Sequence, residues 1–139
     1  MGRTILGAVA GLVVAFFTIM LVEFASHAAY PPPPGLDPMV TADMAQIMAT
    51  LPQGAMLLVV GAWLMGAFDG GFVAALIARG QRPRVAAIVP ALMVMAGVVG
   101  MIVQMPAHPK WMSIAGLLLP IPAALAGAAL AALLKPMRR

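Results

Sequence analysis

Residues 54–78 read GAMLLVVGAWLMGAFDGGFVAALIA, a run of 25 positions with one ionisable side chain, Asp69. As an α-helix at about 1.5 Å per residue the run is about 37 Å long, enough to cross the ~30 Å hydrocarbon layer of a bilayer. Its apolar residues cover the whole circumference instead of one stripe, so no face is left for water. Three more stretches have this character: Ile5–Val22, Val85–Met105 and Trp111–Leu134.

The whole chain agrees. Of its 139 residues 63% are hydrophobic and 9% charged, against roughly 45–50% and about 25% in soluble domains. A soluble chain of this size could not hide that much apolar surface. The expected fold is therefore all-α: one integral membrane domain over residues 1–139, built as an antiparallel bundle of four transmembrane helices at about 4–27, 53–78, 85–105 and 111–134. The first run exceeds the usual apolar core of a signal peptide, and Glu23 and Phe24 spoil a cleavage site, so it is read as a retained helix.

Lysine and arginine set the orientation. Arg3 precedes the first helix; Arg79, Arg82 and Arg84 join the second to the third; Lys135, Arg138 and Arg139 follow the fourth. Only Lys110 falls on the other side, a ratio of seven to one that puts both termini in the cytoplasm. This asymmetry and the chain's compactness suggest a bacterial inner membrane. The net charge of +4 does not indicate nucleic acid, because the basic residues flank apolar segments and form no stripe with interleaved aromatics.

The outward segment, about 30–51, has a pattern of its own. Tyr30-Pro31-Pro32-Pro33-Pro34-Gly35 predicts a stiff polyproline strut ending in a turn. Asp37-Pro38 reads as a helix cap and first turn. Val40, Met44, Ile47, Met48 and Leu51 then recur at helical spacing opposite Asp43, Gln46 and Thr50, which predicts a short amphipathic helix at the outer surface.

Helices in lipid associate by close packing and polar contacts. The second helix carries small residues at every fourth position, Ala62, Gly66, Gly70, Ala74 and Ala78. The first offers Gly7 and Gly11. The fourth offers Ala123, Gly127 and Ala131 beside a second row, Ala124, Ala128 and Ala132. Pro90, Pro120 and Pro122 should kink or unwind their helices locally.

Three groups could carry chemistry. Asp69 lies in the span, where an ionised carboxylate costs about 2.5–3.5 kcal/mol on insertion scales; protonation, a polar partner or contact with water would each relieve that cost, and Arg3 is the only basic side chain of the chain expected within reach. Glu23, His27 and His108 fall on one side of the membrane and could bind zinc or copper or relay protons. Methionine is abundant, 13 in all, with Met20, Met39, Met44, Met48, Met56, Met101, Met105 and Met112 toward the outer half, which adds soft ligands suited to Cu(I). Cysteine is absent, which excludes thiolate catalysis, disulfides and cysteine-ligated zinc or haem. No GxxxxGK[ST] loop and no context for a serine triad occurs.

Three functions fit. The first is a non-catalytic assembly or accessory subunit, or a homo-oligomer, with the lipid bilayer and a membrane-protein partner around it and no cofactor required. The second is a small proton- or cation-coupled transporter or channel subunit using Asp69 and Glu23. The third is a metal-binding membrane protein or enzyme using Glu23, His27 and His108.

Overall fold

The computed structural model describes residues 1–37, 40–105 and 108–134, and these form helices and no strand. In chain order they are α1 Gly2–Ala29, α2 Thr41–Thr50, α3 Gln53–Ile77, α4 Pro83–Gln104, α5 Lys110–Leu118 and α6 Pro120–Leu133. α1, α3, α4 and the α5–α6 pair are each long and apolar enough to cross a membrane. Pro38 and Met39 in the expected outer-helix start, Pro106 in the outer turn, and Lys135, Arg138 and Arg139 lie outside the described residues.

α3 is the central element and meets α1, α4, α5 and α6. It does so because its small residues form two adjacent rows. One row, Ala62, Gly66, Gly70, Ala74 and Ala78, is wholly buried. It lies on the α1 strip of Gly7, Gly11 and Ala15, which is buried too. Gly7 sits at Ala74 and Ala78, Gly11 at Gly70 and Ala74, and Gly66 at Ala15 and Ile19. A Cβ placed on Gly11 would stand 2.5 Å from the Gly70 carbonyl oxygen, so backbone meets backbone here. The Pro90 ring of α4 abuts both glycines, and three helices converge on this point.

The other row of α3 faces α4, α5 and α6. Gly71 lies against the Ala124 backbone, Gly127 against Phe68 and Phe72, and Gly116 against the Trp63 ring and Val98. Larger side chains fill the space beyond: Val60, Trp63 and Ala67 pack with Ala91, Val94 and Val98 of α4, Met112 of α5 and Ala124 of α6.

The two ends of the fourth apolar stretch are separate helices. Leu119 donates its N–H to the Ala115 carbonyl (3.0 Å) and accepts from the Ala123 N–H (3.0 Å). Pro120 and Pro122 have no N–H, so the carbonyls of Gly116 and Leu118 lose their usual helical donors. Pro90, by contrast, sits inside an unbroken α4.

α2 starts later than its expected cap. Its N-cap is Val40, not Asp37, and no side chain caps it. The Asp37 N–H instead donates to Asp43 Oδ2 at 3.0 Å, and the Val40 N–H donates to the Asp37 carbonyl at 3.0 Å. The Asp43 carboxylate thus ties the incoming loop to the first turn, where a negative charge also suits the helix dipole. The strut before it turns at Gly35, whose φ of +88° suits only glycine, with the Leu36 N–H reaching the Pro33 carbonyl at 3.4 Å.

Candidate functional site

Asp69 is half-buried on α3, and Thr18 Oγ1 of α1 donates to its Oδ2 at 3.3 Å. Arg3, the one basic side chain expected within reach of Asp69, is placed elsewhere. The Arg3 Nε donates to the Ile77 carbonyl at 3.1 Å, and beside it the Thr4 N–H and hydroxyl both reach Gln81 Oε1 at 3.1 Å. Arginine's reach is spent at the helix end, while a hydroxyl already in register serves the carboxylate. A signal for Thr18 exists in the sequence: it is the sole polar side chain between Thr4 and Glu23.

On the opposite end, α1 extends past His27, and His27 Nδ1 lies 2.8 Å from the Glu23 carbonyl oxygen. His108 is elsewhere. It is 8% exposed and stacks on Trp63, with ring centroids 6.5 Å apart at 26°. Its Nδ1 has no hydrogen-bond partner among the described residues. Burial lowers its pKa below the ordinary histidine value, offset in part by a hydrogen bond with the Pro109 backbone. Among the described residues no three of His, Asp and Glu gather in a way that could hold a metal ion. Glu23, His27 and His108 therefore do not converge as one set, since His108 is drawn into the core by the Trp63 face.

The outer methionines are divided as well. Met112 is fully buried in the core, with Met56 and Met101 packed against it. Met44 and Met48 instead line a cavity of about 140 Å³ beneath α2, with Ser26 and His27 of α1 and Val59 of α3. Ile47 closes it and is itself buried. The apolar face of α2 thus lies over the end of the bundle.

A second, wider opening is at the other end. A cleft of about 850 Å³ separates the α3–α4 connection from α6. Its floor is alanine and leucine, and its rim carries Arg79, Arg82 and Arg84. Arg79 is half-buried and donates to the Ala131 carbonyl, while Arg82 and Arg84 are exposed. None of the four Asp and Glu side chains lines this cleft. In the sequence these arginines speak to orientation alone. Gly80, in a left-handed turn at φ +80°, lies in the connection that lines one side of the cleft.

No family model, curated protein or solved structure matches this chain.

Proposed function

We propose that the chain is an integral membrane protein of a bacterial inner membrane, an up-and-down antiparallel bundle of four spans that serves as a non-catalytic assembly or accessory subunit or as a homo-oligomer. Several contacts support the topology. Residue numbers fall along α3 as they rise along α1, in the pairs Gly7 with Ala74 and Gly11 with Gly70. They rise together along α3 and α5–α6, in the pairs Trp63 with Gly116 and Gly71 with Ala124. Arg3 and Thr4 join Ile77 and Gln81 at one end, which puts the N-terminus beside the basic connection.

The observation that carries the functional reading is the use made of Asp69. Its carboxylate takes the Thr18 hydroxyl across the α1–α3 seam, and it lines neither the cleft nor the cavity beneath α2. A carboxylate that couples transport must meet water or an ion along a path; this one fastens two helices. Meanwhile α1 leaves a broad apolar face uncovered, with Val13, Phe17, Leu21 and Phe24 at least half exposed. In a bilayer that face meets lipid or a neighbouring subunit.

Crosslinking in native membranes and mass measurement in mild detergent test this. A discrete oligomer or a co-purifying membrane partner is expected, and the Asp69→Asn variant should still assemble. A strictly monomeric protein with no crosslinked partner would overturn the assembly role. A cation flux in proteoliposomes that Asp69→Asn abolishes would establish transport in its place.

A further inference from the structure

We infer that the cleft between the α3–α4 connection and α6 binds an anionic phospholipid, with the phosphate headgroup on Arg79, Arg82 and Arg84 and an acyl chain along the apolar floor. The inference rests on the membrane reading and adds a ligand to it.

Shape and chemistry both point to a lipid. The cleft of about 850 Å³ is large enough for a headgroup and the upper part of a chain, and it is open along one side. Leu125, Ala128 and Ala132 of α6 form its floor and offer hydrocarbon with no hydrogen-bonding side chain. A soluble anion would gain nothing from that floor, whereas an acyl chain covers it.

The rim selects charge. Three guanidiniums stand within six residues of one another on a short connection, and among the described residues no side-chain carboxylate lines the cleft. Guanidinium binds phosphate through paired N–H donors. Arg79 is already held in place by the Ala131 carbonyl, so part of the ordering cost is met before a ligand arrives. α4 begins at Pro83 with no side-chain cap and no acidic residue in its first turn. The positive end of its dipole therefore adds to the arginines. Basic pockets between helices on the cytoplasmic side suit anionic headgroups generally.

The test uses the full chain in mild detergent, titrated with short-chain phosphatidylglycerol, phosphatidylcholine or inorganic phosphate. Bound lipid is counted by native mass spectrometry. Phosphatidylglycerol should bind with one preferred stoichiometry, phosphatidylcholine far more weakly, and inorganic phosphate should not compete at millimolar concentration. The Arg82→Gln/Arg84→Gln double variant, which keeps the Arg79 latch, should weaken binding roughly thirtyfold, about fivefold for each charge. Ala132→Trp fills the floor without touching the charges and should weaken it too. Equal binding of both lipids, or an unchanged double variant, would overturn the inference. Full competition by phosphate, with Ala132→Trp silent, would show a free-anion site and overturn it as well. Extraction of the wild type from membranes by alkaline carbonate would instead sink the membrane reading itself, so the two failures are separable.

Discussion

At the scale of single residues, a few polar side chains tie one helix to another. Asp69 has Thr18, Arg3 has Ile77, Thr4 has Gln81 and Arg79 has Ala131. Interhelical hydrogen bonds in lipid contribute about 0.6 kcal/mol on average, so each trims the arrangement and none dictates it. His108 is buried against Trp63, and its Nδ1 has no hydrogen-bond partner among the described residues. Its pKa is lowered by burial, so the unfolded chain binds a proton more readily than the folded one. The neutral ring therefore favours the fold above the ordinary histidine pKa of about 6.5, and that advantage drains away as pH falls from there through the lowered native value. Denaturation of wild type in detergent should be easier at pH 5 than at pH 8. His108→Phe should flatten the difference; an equal pH dependence in that variant would assign it to another group. The lowered pKa was not legible in the sequence, because His108 reads as an exposed turn residue until Trp63 is seen beneath it.

Among the helices, the decisive property is how close two backbones come. α1 and α3 meet through glycine and alanine because any larger residue would hold them apart. The contrast between two kinds of glycine makes this measurable. A Cβ on Gly70 would lie 2.6 Å from the Gly11 carbonyl oxygen, whereas a Cβ on Gly97 would meet nothing within 4 Å. Gly70→Ala should therefore lower stability by about 1–3 kcal/mol, as overpacking does. Gly97→Ala should leave it unchanged or raise it by up to about 1 kcal/mol, from helix propensity alone. Unfolding by sodium dodecyl sulfate in mixed micelles reads both, and equal effects would refute the close-approach account. The small-residue row on α3 was plain from its four-residue spacing. Its partner was not, since alanine and glycine rows occur on three of the helices and spacing does not say which two face each other. The break between α5 and α6 was legible as well, because a proline pair removes two donors wherever it lies. The cap of α2 was misread: Asp37 has the right chemistry, but Asp43 holds its amide and the helix starts at Thr41.

For the molecule as a whole, α3 organises the bundle, and the chain's two ends of polar character lie at opposite poles. One pole has α2 lying over the cavity with His27 and Met48; the other has the arginine-rimmed cleft. On the proposed topology the first faces outward and the second faces the cytoplasm. The absence of cysteine makes this easy to check. Ala28→Cys and Lys110→Cys should react with an impermeant maleimide from one side of intact cells, and Leu134→Cys only after lysis. Labelling of positions 28 and 110 from opposite sides would break the four-span topology.

The sequence by itself determined that this chain is helical, where its long apolar helices run, and that Pro120 and Pro122 weaken the last of them. Those properties follow from composition and local stereochemistry, which each segment carries alone. Only the tertiary structure decided that Gly11 meets Gly70 under Pro90, that Thr18 rather than Arg3 serves Asp69, that His108 leaves the outer cluster for Trp63, and that three arginines rim a cleft. Each of these depends on the rotation of one helix against another, and a helix uniformly apolar around its circumference gives no internal sign of how it is turned.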